Sequence, residues 1–367
     1  MKKSYFLCLV LFIITAAIIV FCCHGIENSS DLITMTGSVD GSGRPTTESV
    51  SYDPESVEES FGLGLYDAPI HTPEHSLHFS QTCAENESVN GYLFISNQMT
   101  ENNSYLIFCL MDYNQTPFSC DSDERGILHR VVLRPYEERF VQYSLDPPGK
   151  GIHDFEIFAL LKTDQHSLDT SFRQSTDFSY LGSKRLNLFV ENETFPVVRY
   201  TNFSSLSARL CDPDYPINDG ILLTEEPCST KGWFTEGAEA GDVLHYWINL
   251  AADTRYPVSF AVITLVDYVQ VPLQAGTLEK VWFGNLSVGE KISVPGSIVV
   301  PSEEGVHELM MVYIPVPYQR LETEPGVSTE FQQWLWTEPS IRIGLNVSTA
   351  VNASRADRPE AKSQVAL

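Results

Sequence analysis

The sequence has few basic residues and no cluster of them. Lysine and arginine together number 23, against 48 aspartate and glutamate residues, and the formal net charge is −25 at pH 7. An acidic surface of this kind repels the phosphates of nucleic acids and the head groups of anionic lipids. We therefore expect no nucleic-acid partner. The charge fits a protein that stays soluble outside the cell.

The sequence also lacks the patterns that accompany catalysis and metal binding. It contains no Gly-x-Ser-x-Gly, no phosphate-binding loop and no CxxC pair. His71, His75 and His78 lie close together in HTPEHSLH, but their spacing matches no helical ligand pair. We expect no enzyme activity and no cofactor, with weak Ca²⁺ binding as the one open possibility.

That possibility depends on one acidic loop. Asp121 and Asp123 begin a segment that opens like a calcium loop, but Val132 stands where the closing glutamate of an EF-hand would be. Solvated acidic turns remain the simpler interpretation.

Long helical periods are absent, and short apolar stretches separated by turn residues take their place. Such stretches are typical of the strands of an all-β sandwich. In the first half we predict strands at Gly91–Ser96, Tyr105–Tyr113, Ile127–Leu133, Arg139–Ser144, His153–Leu161 and Arg185–Val190. In the second half we predict strands at Val243–Leu250, Val258–Tyr268, Leu278–Phe283, Lys291–Val294, His307–Val316 and Ile341–Val347.

An internal repeat organises the chain. Tyr105–Phe118 (YLIFCLMDYNQTPF) and Phe260–Leu273 (FAVITLVDYVQVPL) share an apolar run followed by Asp-Tyr-x-Gln-x-Pro. Asp112 and Asp267 are 155 residues apart, and a second match places His153 and His307 154 residues apart. A third match, RLNLFV against RIGLNV, follows at an offset of 157 residues. Three matches in one order indicate a tandem duplication.

The order of motifs resembles the cell-adhesion-type immunoglobulin-like (Ig-like) repeats of bacterial and archaeal surface proteins. Each unit has Gly-x-His at the start of its penultimate strand, at Gly151–His153 and Gly305–His307. In Ig-like domains Gly-x-Tyr introduces strand F at this corner, and the ring bonds back to the preceding backbone. The resemblance implies two tandem Ig-like β-sandwich domains, which we expect at 77–192 and 195–348. It does not account for the Asp-Tyr-x-Gln-x-Pro element, which we interpret as turns that end strands, with tyrosines packed on the sandwich.

The N-terminus resembles an export signal. Lys2 and Lys3 precede 18 residues from Phe6 to Cys23 that are broken only by Thr15. The run is longer than the usual core of a cleaved signal peptide and near the lower limit for a membrane span. We favour an uncleaved anchor over residues 1–25, and a cleaved signal peptide stays open. Residues 26–60 predict a disordered Ser/Thr/Glu-rich stalk, and 349–367 a disordered tail.

Sequons for N-glycosylation are abundant. Nine of the fifteen asparagines stand in Asn-x-Ser/Thr: Asn28, Asn86, Asn102, Asn114, Asn192, Asn202, Asn285, Asn346 and Asn352. This excess predicts glycans on an extracellular surface.

Five cysteines follow the N-terminal segment. Since exported thiols in pairs tend to oxidise, we predict a Cys211–Cys228 disulfide and, as a second choice, Cys83–Cys120. Cys109 lies on a predicted strand and is interpreted as a buried thiol.

The loop before the last strand of each unit is rich in aromatic residues. These residues are Phe172, Phe178 and Tyr180 in the first unit, and Phe331, Trp334 and Trp336 in the second. Loops at the end of a sandwich often carry recognition, so these residues are the candidate binding surface. The competing interpretation packs them over their own sandwich or between the units.

The sequence therefore predicts a non-catalytic structural or adhesive protein, held at the cell membrane or secreted, with a surface protein or polysaccharide as its partner. A carbohydrate-binding module that uses Trp334 and Trp336 is the alternative, and an exported enzyme is the third possibility.

Overall fold

The computed structural model describes residues 61–349, apart from 73–74, 78, 122, 176–180, 192–193, 218–219, 253–256 and 322–336. Contacts divide the chain into Met1–Ser56 and Val57–Leu367, and every described residue belongs to the second unit. The N-terminal apolar run, the stalk and residues 350–367 lie outside the described residues. Within the described part, no helix is both long and apolar enough to cross a bilayer.

Two β-sandwiches follow each other along the chain, which confirms the predicted all-β fold. In the first sandwich the outer sheet consists of Phe61–Tyr66 (β1), Val89–Asn97 (β3), Glu138–Leu145 (β8) and Phe118–Cys120 (β6), in that order. Its inner sheet consists of Ser80–Cys83 (β2), Leu181–Val190 (β10), Gly151–Leu161 (β9), Asn103–Met111 (β4) and Asn114–Gln115 (β5), with His129–Leu133 (β7) also paired to β4. A short helix, Thr170–Arg173 (α1), lies between β9 and β10.

The second sandwich repeats this plan. Its outer sheet consists of Arg209–Leu210 (β11), Lys291–Val299 (β18), Val243–Ala251 (β14) and Gly220–Thr224 (β12). Its inner sheet consists of Thr235–Glu239 (β13), Ile343–Ser348 (β21), Gly305–Pro315 (β19), Val258–Val266 (β15) and Val269–Val271 (β16); Val281–Leu286 (β17) also pairs with β15, and Glu338–Pro339 (β20) with β19. A 3-10 helix covers Phe203–Leu206. In both inner sheets one edge strand pairs in parallel, β2 on β10 and β13 on β21.

Each sandwich has its own apolar core, and a third core joins the two sandwiches. In β9 the side chains of Phe155 and Ile157 face the core of the first sandwich, whereas Phe158 and Leu160 face the second sandwich. The third core draws on both inner sheets: Leu106, Phe108, Leu110, Tyr113, Phe158, Leu160, Ala261, Ile263, Leu265, Tyr268, Met310, Val312 and Ile314. The inner strands are therefore buried on both faces, which is why their sequences are continuously apolar rather than alternating.

The first sandwich begins earlier than the sequence predicts. β1 covers Phe61–Tyr66 and pairs antiparallel with β3 along its whole length, so a segment ahead of residue 77 is an edge strand of the sandwich. Two glycines in FGLGLY weaken the strand signal of β1.

The cysteine predictions have different outcomes. Cys211 and Cys228 form a disulfide that closes a loop over the outer sheet of the second sandwich. The second pairing does not form: Cys83 and Cys120 are free, buried thiols, as is Cys109. Cys83 ends β2, on the side of the sandwich where β1 lies against β10, whereas β6, which carries Cys120, is the opposite edge of the outer sheet.

Candidate functional site at the junction of the two sandwiches

The Asp-Tyr pair of each repeat forms a two-residue hairpin turn. Asp112 and Tyr113 join β4 to β5 with φ of 52° and 64°, and Asp267 and Tyr268 join β15 to β16 with φ of 49° and 66°. Positive φ at both central residues is the requirement of a type I′ turn, which usually takes Asn-Gly. A tyrosine in this conformation is strained, so its side chain must gain contacts that compensate.

A histidine fastens the first of these turns. The two ring nitrogens of His153 lie 2.7 Å from Asp112 Oδ2 and 2.8 Å from the carbonyl oxygen of Gly149. Asp112 Oδ1 also accepts from the backbone N–H of Asp154, at 3.1 Å. Because both ring nitrogens face acceptors, the doubly protonated imidazolium satisfies the arrangement best. The hydrogen bond to Asp112 is the main cause that raises the pKa of His153, against the opposing effect of burial.

The second repeat has the same arrangement. His307 lies 2.7 Å from Asp267 Oδ2 and 2.9 Å from the carbonyl oxygen of Glu303. Burial lowers the pKa of His307, but the hydrogen bonds to Asp267 and to the Glu303 carbonyl outweigh it and raise the pKa overall. Each ring reaches back four residues to a backbone carbonyl, as the resemblance to the Ig-like corner implies.

The glutamines of the repeated element meet across the junction. The backbone N–H of Gln115 donates to Gln270 Oε1 at 2.7 Å, and the backbone N–H of Gln270 donates to Gln115 Oε1 at 2.8 Å. The side-chain amide of Gln115 donates to the carbonyl of Tyr268, and that of Gln270 to the carbonyl of Tyr113, each at 2.9 Å. Equivalent residues thus exchange equivalent bonds, as in the isologous interface of a symmetric dimer.

A buried charged centre lies on the first sandwich. Arg185 donates to Asp154 Oδ2 and to the hydroxyl of Tyr113, both at 2.8 Å, and to the carbonyl of Val316 at 3.1 Å. The Tyr113 hydroxyl donates to the same carboxylate, and the backbone N–H of Tyr318 reaches it at 2.7 Å. Burial raises the pKa of Tyr113 well above its ordinary value. The loop after β19 is therefore bound to the first sandwich by a carboxylate that already holds an arginine.

The second sandwich has the corresponding centre at Glu308, which follows His307 as Asp154 follows His153. Here the arginine comes from the other unit: Arg173 of α1 makes two hydrogen bonds of 2.9 Å to the two oxygens of Glu308. Arg173 also donates to the carbonyl of Arg342 at 3.3 Å, and Arg342 donates to the hydroxyl of Tyr268 at 3.1 Å. Arg173 and Glu308 are each 1% exposed, so this bidentate ion pair is sealed from water.

Helix α1 is held in place by its own cap. The carboxylate of Asp169 accepts from the backbone N–H of Phe172 at 2.9 Å and from the hydroxyl of Ser171 at 2.7 Å. This N-cap fixes the short helix from which Arg173 crosses to the other sandwich.

A second carboxyl of β9 lies in the junction. The hydroxyl of Thr337 donates to Glu156 Oε1, and Glu156 Oε2 is buried without a hydrogen-bond partner within the described part of the chain. Burial raises the pKa of Glu156, although the charge of Arg185 opposes the shift.

These contacts bear on the predicted aromatic loops. Phe172 is half-buried on α1, beside the arginine that crosses the junction. The other five aromatics, Phe178, Tyr180, Phe331, Trp334 and Trp336, lie outside the described residues. The described flanks of both loops contact the opposite sandwich through Arg173 and Tyr318. Both interpretations of the aromatic residues, a binding surface and packing between the units, stay predictions.

The carboxylates of the candidate calcium residues contact other groups of the protein. Asp121 accepts from Arg139 and from the backbone N–H of Gln142 at 2.9 Å, and Asp123 lies 3.9 Å from a ring nitrogen of His129. His75 bonds to Asp67 at 2.9 Å, and His71 stacks on Phe94. Among the described residues, no three His, Cys, Asp or Glu side chains are placed to share a metal ion.

The six sequon asparagines within the described residues are all exposed: Asn86, Asn102, Asn114, Asn202, Asn285 and Asn346. Four other asparagines, Asn97, Asn103, Asn187 and Asn249, are buried at 0–3% exposure. The exposure satisfies the steric condition for glycosylation, which stays a prediction; Asn28, Asn192 and Asn352 lie outside the described residues.

The sequence does not reveal the residues that make the junction. Gln115, Gln270 and the Asp-Tyr pairs recur in it, but a recurrence within one chain gives no indication that the two copies touch. Arg173 lies in a loop with no counterpart motif. The available signal is the unbroken apolar character of β4, β15 and β19, which implies sheets covered on both faces.

No known family profile matches this chain, and no curated protein is similar to it in sequence. Several solved structures resemble parts of the fold. The CARDB domain of a Pyrococcus furiosus protein, solved in complex with di-metal ions, is 11% identical over 38% of this chain and 97% of its own length, with a TM-score of 0.24. A PapD-like domain of human CEP192 is 13% identical over 40% of this chain and 92% of its own, with a TM-score of 0.20. A red sea bream transglutaminase is 7% identical over 79% of this chain and 31% of its own, with a TM-score of 0.21. Similarity at this level carries no argument about function. The assignment of two sandwiches follows from the strand order of the chain's own sheets.

Proposed function

We propose that this protein is a non-catalytic structural or adhesive component of the cell surface, in which the two Ig-like sandwiches act as one stiff body. The observation that supports this most is the junction, which contains a shared apolar core, a glutamine exchange and the buried Arg173–Glu308 ion pair between the sandwiches. A second buried pair, Arg185–Asp154 of the first sandwich, bonds to the loop after β19 of the second. A spacer or adhesive arm transmits force and fixes distance, and both tasks need domains that do not swing.

The repeated polar residues serve this role. The residues most open to a catalytic interpretation are paired: Asp112 with His153, and Asp267 with His307. Each histidine also bonds to a backbone carbonyl of its own repeat. Asp154 and Glu308 hold arginines and a backbone N–H at the junction. Their positions support fastening as their function.

An extracellular location is part of the proposal. It is supported by the N-terminal export-like run, the acidic charge, the disulfide and the exposure of the six described sequon asparagines. Protease treatment of intact host cells tests it. We expect peptides from 61–349 to be released without lysis, and release only after lysis would contradict the location.

The adhesive part of the proposal is tested with the full chain. Purified in detergent and immobilised, it should retain one surface protein or polysaccharide from an extract of its own host, and the same chain with its disulfide reduced and unfolded in urea is the control. Retention of a polysaccharide that also quenches tryptophan fluorescence would favour the carbohydrate-binding alternative. If the folded chain retains no more than the unfolded control, adhesion is excluded and the proposed role is that of a passive spacer.

A further inference from the structure

The two sandwiches carry equivalent surface grooves, and each groove has a sequon asparagine on its rim. The groove of the first sandwich is lined by Asn102, Ser104, Arg130, Val132, Lys162 and Gln165, among others. The groove of the second is lined by Tyr200, Pro257, Ser259, Asn285, Ser287 and Gln319, among others.

The repeat relates these grooves residue by residue. Ser104 and Ser259 are 155 residues apart, the offset of Asp112 and Asp267, and Gln165 and Gln319 are 154 apart, the offset of the two histidines. In the strand registers Ser104 faces Val132 and Ser259 faces Asn285. The two grooves are therefore equivalent, but their sequons lie on different elements. Asn102 stands just before β4 in the first sandwich, and Asn285 lies on β17 in the second.

The groove of the second sandwich suits a neutral sugar. Its lining residues within the described part of the chain include no acidic or basic side chain, although the chain as a whole carries a formal charge of −25. Its volume is about 460 Å³, within the range of roughly 300–1,000 Å³ typical of small-molecule sites. In the first groove, by contrast, Arg130 pairs with Asp164 at 3.3 Å and Lys162 with Glu101 at 3.4 Å.

One wall of this groove is aromatic. The backbone N–H of Thr201 donates to the carbonyl of Phe283 at 2.7 Å, which places the preceding Tyr200 beside β17. Tyr200 is 45% exposed, so a large part of its side chain is open to a ligand in the groove. The negative face of an aromatic ring attracts the C–H edge of a pyranose. Gln319 donates to the hydroxyl of Ser259 at 3.3 Å, and the remaining donors and acceptors of this pair, with the hydroxyl of Ser287, can pair with sugar hydroxyls.

We propose that Asn285 carries an N-linked glycan whose first sugars lie in this groove, against Tyr200. The inference rests on the extracellular location proposed above. Asn285 is exposed on the rim, so the occupant is tethered at the groove and needs little intrinsic affinity to fill it. The seated sugars would be shielded from enzymes that act on the core of the glycan.

The test uses the full chain expressed in eukaryotic cells whose N-glycans are all kept in the high-mannose form, and purified in detergent. Release by an endoglycosidase under native conditions is followed site by site by mass spectrometry. If about nine-tenths of the Asn285 glycans are seated, release there is about tenfold slower than at Asn86, Asn114 and Asn346. Tyr200→Ala raises the rate at Asn285 to that of the other sites and leaves theirs unchanged.

Two controls accompany this variant. Tyr136→Ala removes a tyrosine of similar exposure, 50%, from the first sandwich and changes no rate. Gln319→Ala removes a polar wall of the groove and accelerates release at Asn285 alone, whereas faster release at all sites would indicate unfolding. Equal release rates at Asn285 and at the reference sites would contradict the proposal that the glycan lies in the groove. An unoccupied Asn285 overturns it as well. Neither result depends on where the natural host places the protein, so the proposed location is judged separately by protease treatment of intact cells.

Discussion

Gln115 and Gln270, 155 residues apart, each donate a backbone N–H to the side-chain oxygen of the other, at 2.7 and 2.8 Å. Each side chain uses its amide nitrogen to bond the backbone of the opposite turn as well. The duplicated element therefore acts as the place where the two copies recognise each other.

This exchange predicts that each glutamine side chain stabilises the fold. Gln115→Ala removes the acceptor of the Gln270 backbone N–H and the donor to the carbonyl of Tyr268, and Gln270→Ala removes the equivalent pair of bonds. Because each variant leaves polar groups of the junction without partners, we expect each to lower the free energy of unfolding by about 1–3 kcal/mol in urea unfolding. Gln142→Ala serves as control, since Gln142 lies exposed on β8 of the outer sheet. Effects of Gln115→Ala and Gln270→Ala no larger than that of Gln142→Ala would contradict the contact.

The Arg173–Glu308 ion pair predicts a large loss of stability on truncation. Arg173→Ala leaves Glu308 buried without its bidentate partner, and removal of one member of a buried pair costs about 3–5 kcal/mol. Urea unfolding monitored by circular dichroism measures the change. Lys231→Ala breaks an exposed pair with Glu225 and is the matched control, for which no change is expected. Equal effects of the two variants would contradict the buried role of Arg173.

The histidine corners predict that stability falls as pH rises. The pKa of His153 and of His307 is raised in the folded state. Their contribution is therefore complete below the unfolded value of about 6.5 and is lost as pH rises through the raised folded values. Melting temperatures between pH 6 and pH 9 should decline, and His153→Gln with His307→Gln should flatten that decline. The raised pKa of the buried Glu156 also makes stability fall as pH rises, but this fall begins at a lower pH, because the pKa of Glu156 is raised from an ordinary acidic value. An unchanged profile in the double variant would show that the corners do not carry the effect.

The free cysteines predict resistance to alkylation. Burial raises the pKa of Cys120 to about 12 and that of Cys109 further, so these thiols are both protonated and inaccessible in the folded chain. Iodoacetamide should modify Cys83, Cys109 and Cys120 only after unfolding, as mapped by mass spectrometry. Cys211 and Cys228 should require reduction first. Modification of Cys120 in the native protein would contradict its burial.

The sequence predicts the strands better than it predicts their assembly. Alternation and turn residues place β9, β10 and β19 within a few residues, because these features act locally. Short or glycine-containing strands such as β1 and β5 carry too little pattern to be recognised, and their place comes from pairing with neighbours. The histidine corners could be predicted from the Ig-like resemblance, because each histidine bonds to a carbonyl only four residues earlier in the chain.

The junction could not be predicted in the same way. Arg173 bonds to a residue 135 positions away, and nothing near Arg173 in the chain identifies Glu308 as its partner. The Asp-Tyr turns resemble ordinary hairpin turns until their tyrosines are seen buried in the third core. Apolar residues at successive positions, as in Tyr105–Leu110 of β4 and again in β15 and β19, were the local sign that a second surface covers the sheet.

The central claim is that the two sandwiches form one cooperative body, and equilibrium unfolding tests it most directly. With Trp334 and Trp336 replaced by phenylalanine, tryptophan fluorescence reports only the second sandwich, through Trp233, Trp247 and Trp282, whereas far-ultraviolet circular dichroism reports both. A single body predicts coincident urea transitions for the two probes, with one midpoint and one slope. Two separated transitions, with circular dichroism changing in a step that fluorescence does not see, would contradict the account.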